Sequence, residues 1–287
     1  MKKTTRLREL IDREEILIAP GTYDPLMAKV IEHVGFEAIY MTGAGVSHST
    51  LAMPDLGLVT MTEMVDRARK ISDAGDLPVI ADADNGYGNA INVMRTVREY
   101  ERAGVAGIHI EDQTIPKRCG HFSGKTVIPR QEMVGKLKAA LDTRQDPDFI
   151  IIARTDARTA VSLDEAIERG QAYAEAGADV VFVESPRSVE ELTLVAQSID
   201  RPLLANMVEA GLTPLMSGPE LQELGFSLVI FPGALTRFLT KQAVGFLTTL
   251  KEERTTNSRL DEIFDFKEYN TMLGLEKFEE LSRRYGS

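Results

Sequence analysis

Val79-Ile80-Ala81-Asp82-Ala83-Asp84-Asn85-Gly86 and, one helix and one glycine (Gly104) later, Gly107-Ile108-His109-Ile110-Glu111-Asp112 decide the fold. Each begins as an apolar run without polar alternation, as a parallel strand buried on both faces requires, and each ends in carboxylates. The same unit recurs along the chain: apolar run, polar loop, amphipathic helix, glycine, next run. The other runs are Ile16 to Ala19, Ala38 to Thr42, Phe149 to Arg154, Val180 to Glu184, Leu203 to Asn206 and Leu228 to Phe231. Gly35, Gly75, Gly104, Gly177 and Gly225 sit where left-handed helix caps are expected. Thr60 with Glu63, Ser162 with Glu165, Ser188 with Glu191 and Ser217 with Glu220 have capping-box spacing. Met133, Val134, Leu137, Ala140 and Leu141 form one helical stripe. About eight β-α units predict an α/β protein, a closed (β/α)8 TIM barrel over residues 1–250. Gly43-Ala44-Gly45 follows the second run without a third glycine, which argues against a dinucleotide site. Past a polar linker, residues 251–287 read as a helical extension from about Asp261 to Arg284. Its large apolar groups predict a subunit interface in a homo-oligomer.

With 43% apolar residues the chain can bury a full core, and a net charge of −11 disfavours nucleic acid and anionic membrane as partners. The basic start, Met1 to Arg6, leads into no apolar run, so no secretory signal is read, and no stretch is long enough to span a membrane. One cysteine makes no internal disulfide, and a cytoplasmic location is the expectation.

That cysteine stands in Lys117-Arg118-Cys119-Gly120-His121, a polar loop after the fourth run. A thiol there has cations to favour its thiolate, and Gly120 allows close backbone approach to a ligand. In a barrel this loop overhangs the carboxyl ends of the strands, where the chemistry is placed. The other strand ends offer Tyr40 and Thr42-Gly43-Ala44, then Asp82 and Asp84, Glu111, Arg154, Glu184 and Asn206. Asp82 and Asp84, two apart, are expected on one strand face. So many buried carboxylates require a cation, and an all-oxygen set suits Mg²⁺, with Mn²⁺ as a substitute. Small residues at Gly43-Ala44-Gly45 offer backbone N–H groups to an anion, and Arg154 suits a carboxylate. His33, His48 and His109 read as structural.

Taken in order, Tyr40 to Gly45, Pro54-Asp55-Leu56-Gly57, Asp82 to Gly88, Ile110 to Gln113, Lys117 to His121, Ala153 to Ala157 and Leu204 to Met207 resemble the phosphoenolpyruvate mutase/isocitrate lyase superfamily. The likeness runs nearly end to end, and the cysteine loop is the mark of its carbon–carbon lyases. The resemblance implies a Mg²⁺-dependent barrel, its eighth helix swapped with a neighbouring subunit, in a tetramer. It also implies that Asp82 and Asp84 hold the metal, with Asp55 and Glu111 close by. Thr42, Gly43, Ala44, Gly120, Arg154, Glu184 and Asn206 would hold the substrate. Cys119 would be the general acid on a mobile loop, with Lys117 and His121 beside it and Tyr40 a candidate for the hydroxyl proton. Phe122-Ser123 after His121, with Phe266 to Asn270 and Arg283 to Tyr285, favours a branched 2-hydroxy dicarboxylate of the 2,3-dimethylmalate type. The tricarboxylate 2-methylisocitrate is the second reading. Oxaloacetate hydrolysis, phosphonomutase chemistry and a scaffold role are the competing classes.

Overall fold

The computed structural model describes residues 1–120, 122 and 124–286. Eight strands run β1 Leu17–Thr22, β2 Ile39–Met41, β3 Val79–Asp82, β4 Gly107–Glu111, β5 Ile150–Thr155, β6 Val180–Val183, β7 Leu204–Asn206 and β8 Leu228–Phe231. All pair in parallel, in the order β6-β5-β4-β3-β2-β1-β8-β7, and a bridge from Val181 to Leu203 closes the ring. The expected (β/α)8 barrel is therefore present. Its register sets Asp82 beside His109 and Glu111 beside Arg154, so charged residues converge at the carboxyl ends of β3, β4 and β5.

The barrel interior is filled by Leu17, Ala19, Ile80, Ile150, Phe182 and Leu228 among others. A helix at Lys3–Asp12 joins this same cluster through Leu7, Leu10 and Ile11, all buried. Its basic residues dominate the sequence pattern of this segment and mask the apolar face. Its apolar residues at helical spacing stabilise the fold by about 1.5–3 kcal/mol per buried side chain.

Of the expected capping boxes two are complete, at Thr60/Glu63 and Ser217/Glu220, and Asn89/Asn92 makes a further one. At Ser162 and Ser188 the serine caps the helix, but the glutamate is used elsewhere. Glu165 pairs with Arg130 and Arg169, and Glu191 with Arg158. Gly35, Gly104, Gly177 and Gly225 adopt positive φ, whereas Gly75 does not. A Cβ at Gly75 would lie 2.5 Å from a carboxylate oxygen of Glu32, so close approach is its reason for being glycine.

The eighth helix, Ala234–Glu253, has no buried residue. It leaves a groove of about 720 Å³ against the barrel, lined by Pro20, Val30, Ile31, Val34, Phe36 and Phe238 among others. Beyond it the extension is not one helix. A 3₁₀ turn at Asn257–Glu262 leads to helices Phe266–Met272 and Leu275–Tyr285, divided at Gly274, and none of the three buries a residue. Phe264, Phe266 and Phe278 stand more than half exposed. Among the described residues no helix is long and apolar enough to cross a membrane.

Candidate active site

Strand ends supply the carboxylates, but not as the sequence suggested for one of them. β3 ends at Asp82, and Asp84 lies in the following turn with φ +48°, so strand alternation does not place it. Its amide donates to Asp82 Oδ1 at 2.9 Å, and this turn brings the two carboxylates together. Asp82 also accepts from the Gly43 amide at 3.1 Å. A Cβ on Gly43 would fall 2.4 Å from Asp82 Oδ2, so only glycine allows this approach. Gly43 opens a helix, Gly43–Leu51, capped by the Thr42 hydroxyl. The expected anion-binding loop is thus a helix N-terminus, and one of its amides is already engaged by Asp82.

Beneath these groups lies an aromatic floor. The Tyr40 ring is stacked parallel to His109, centroids 5.9 Å apart, and His109 meets the edge of Phe182. The Tyr40 hydroxyl is 3.1 Å from His109 Nδ1, and His109 Nε2 is 3.1 Å from Asp82 Oδ1. His109, read as structural, is therefore part of the site. The signal was available: it lies two residues before Glu111 on β4, hence on the same inward face. Burial raises the Tyr40 phenol well above its usual value. It stays neutral at physiological pH and is suited to donate a hydrogen bond rather than abstract a proton. Burial acts against ionised Asp82 most strongly, but the combined pull of His109, Lys117 and Arg154 outweighs it and holds that carboxyl below its usual range.

Lys117 reaches down from the loop, its ammonium 2.7 Å from Asp55 Oδ1 and 2.6 Å from Asp84 Oδ1. Burial pushes Asp84 up to about 6 against the pull of that charge. Burial likewise raises Glu111 well above the carboxylate range, although Arg154 stands 3.4 Å away. Among the described residues Glu111 Oε1 is buried and makes no hydrogen bond. Among the described residues no three His, Cys, Asp or Glu side chains are grouped to hold an ion alone.

Arg154 is the hub of the other half. Its guanidinium lies over the Phe182 ring at 5.2 Å and forks onto Asp156, with Nε at 3.0 Å and Nη2 at 3.1 Å. It also approaches Glu184 at 3.3 Å, and Asn206 donates to Glu184 at 3.1 Å. Asp156 is held at about 2, since Arg154 and Lys125 outweigh the effect of burial.

The loop lies over this hub. Gln113 pins both the amide and the carbonyl of Arg118, and the Cys119 amide donates to the Asp55 carbonyl at 3.2 Å. Gly120 rests on the guanidinium: a Cβ there would fall 2.5 Å from Arg154 Nη2 and 2.7 Å from the Glu184 carboxylate. Cys119 is half-buried at the edge of the mouth. His121 lies outside the described residues. The buried carboxylates here are Asp55, Asp82, Asp84, Glu111, Asp156 and Glu184, against the permanent cations Lys117, Lys125 and Arg154. So many buried acidic groups are costly without compensating charge, burial already raises Asp84 and Glu111, and a divalent cation suits such a site. Asp84, Tyr87 and Ser185, all non-glycine at positive φ, cluster at these strand ends, where such strain is found at functional sites.

The family model for phosphoenolpyruvate phosphomutase matches residues 7–250. Over 287 residues the chain is 52% identical to the 2,3-dimethylmalate lyase of Eubacterium barkeri, covering 100% of this chain and 99% of that one. It is 45% identical to the 2-methylisocitrate lyase of Aeropyrum pernix, covering 97% and 91%. Among solved structures, an oxaloacetate acetylhydrolase in complex with the inhibitor 3,3-difluorooxalacetate superposes with a TM-score of 0.94 at 37% identity, covering 100% and 98%.

Proposed function

The chain belongs to the phosphoenolpyruvate phosphomutase family, within the phosphoenolpyruvate mutase/isocitrate lyase superfamily, and is a carbon–carbon lyase; from that premise we propose that it cleaves a branched 2-hydroxy dicarboxylate, 2,3-dimethylmalate, to pyruvate and propionate. The observation that carries the reading is the position of the cysteine loop, with Gly120 laid on the Arg154–Glu184 pair and Cys119 beside it.

Asp82 and Asp84 would hold a Mg²⁺ or Mn²⁺ ion, partly through water, with Asp55 and Glu111 alongside. When bound, the ion lowers the pKa of the substrate hydroxyl and offsets its negative charge. Arg154 and Asn206 orient one substrate carboxylate, and the backbone from Thr42 to Ala44 lies against the other. As the hydroxyl gives its proton to a carboxylate of the site, its oxygen forms the keto carbonyl and the adjacent carbon–carbon bond breaks. The bonding pair passes to the carbon bearing the second carboxylate. Cys119 Sγ gives its proton to that carbon, and Lys117 supplies positive charge near the enolate. The loop excludes water while this happens and must open to release product. The exposed eighth helix and the extension would be covered in a homo-oligomer, a tetramer with the eighth helix exchanged between subunits.

The 45% identity to a 2-methylisocitrate lyase keeps that tricarboxylate as the second reading. Keto-acid release from 2,3-dimethylmalate, 2-methylisocitrate and oxaloacetate, with and without a chelator, tests the proposal. Chelator-sensitive pyruvate from 2,3-dimethylmalate is expected. Oxalate and acetate from oxaloacetate alone would overturn it in favour of a hydrolase.

A further inference from the structure

We propose that Lys125 is the latch of the cysteine loop, a positioning residue that ties the Gly120 carbonyl to Asp156 and so to the carboxylate clamp. It rests on the reading of Cys119 as the acid, because only then does holding Gly120 position a reacting group. The loop is stapled at its base, where Gln113 bridges Val127 and the Thr114 amide donates to the Thr126 carbonyl. From just inside that staple the Lys125 side chain, 1% exposed, turns inward. Its ammonium donates to the Gly120 carbonyl and to Asp156 Oδ1, the latter at 2.7 Å.

A buried ammonium is costly unless both its charge and its N–H groups are matched, so this geometry is specific. The Asp156 end is rigid. Its carboxylate is forked by Arg154, and its amide donates to Asp112 Oδ1 at 2.9 Å. Asp112 in turn accepts from Thr155 and Tyr173, both at 2.8 Å, and from Arg169 at 3.0 Å. The Gly120 end is the loop itself, with a weaker second donor in the Ser185 hydroxyl at 3.4 Å. Lys125 and Arg154 share Asp156, so the bond that holds the loop down also fixes the guanidinium that faces Glu111 and Glu184. Loop closure and the aim of the carboxylate clamp are thereby one event.

The test is Lys125→Met, similar in length but without charge or donor, in the full chain with Mg²⁺. Two readouts are followed: kcat, and the rate of tryptic cleavage after Arg118 relative to cleavage at the exposed Arg254. Loss of a charge-assisted hydrogen bond predicts about ten- to a hundredfold faster cleavage at Arg118 and a kcat loss of similar size, with an intact circular dichroism spectrum. Ser185→Ala is expected to shift both readouts the same way by a smaller factor. A folded Lys125→Met protein with wild-type cleavage and turnover overturns the latch. Should that variant not fold, Lys125→Gln is measured in its place, and wild-type cleavage and turnover there overturn the latch. Full activity in Cys119→Ala would remove the acid assignment while leaving the cleavage readout of the latch intact, so the two failures are distinguishable.

Discussion

Cys119 carries the chemistry at the scale of single residues, and its surroundings fix what can be expected of it. Its amide is tied to Asp55 and its neighbour Gly120 rests on Arg154, so replacing the thiol leaves both contacts in place. Cys119→Ser is therefore expected to keep KM near wild type and to lower kcat by about 10²–10⁴-fold, the worth of a general acid. Steady-state kinetics on the purified variant checks this, and wild-type kcat in Cys119→Ala would contradict it. Asp84 gives a second expectation. Its carboxyl, raised to about 6 by burial against the pull of Lys117, takes up a proton as pH falls through that value. A proton on Asp84 competes with a cation, so Mn²⁺ affinity should hold above about pH 7 and fall about tenfold per unit below about 6. Calorimetric titration of the substrate-free protein at several pH values measures it, and a flat profile would remove Asp84 from the metal site. Asp82, Asp84, Arg154 and Cys119 were legible as polar residues at the ends of apolar runs. His109, Ser185 and Lys125 were less so, because their meaning comes from partners far off in sequence: Asp82, the Gly120 carbonyl and Asp156.

At the scale of elements, the strands were legible because a fully buried parallel strand is continuously apolar, and β8 begins and ends where the run Leu228 to Phe231 does. The N-terminal helix was missed because it plugs the barrel with only three apolar side chains on a polar background. Gly274, at φ +86°, divides what the apolar pattern presents as one terminal helix. The eighth helix is the element whose surroundings are incomplete in one chain. It exposes Phe238, Val244 and Leu247 by more than half and buries nothing, beside an apolar groove; on the proposed helix exchange a second copy's helix would fill it. Removing residues 254–287 should therefore give smaller assemblies or insoluble protein. Light scattering reads the outcome, and a soluble truncation of unchanged mass would contradict the interface role of the extension.

At the scale of the whole molecule, the charge balance of the site limits the substrate. The site is already crowded with acidic groups before any substrate enters, and Arg154 already serves Glu111, Asp156 and Glu184. A dicarboxylate can place one carboxylate at the Thr42–Ala44 end and one at Arg154 and Asn206. A third carboxylate needs donors of its own, and Phe122, 44% exposed, stands in the loop where a further cation would help. Leaving a carboxylate without donors costs about 1–3 kcal/mol or more, a factor of roughly ten upward in kcat/KM. The most direct measurement is therefore kcat/KM for 2,3-dimethylmalate and for 2-methylisocitrate on the same Mg²⁺-loaded preparation. A preference of about tenfold or more for 2,3-dimethylmalate is the predicted result; an equal preference for 2-methylisocitrate would contradict the account.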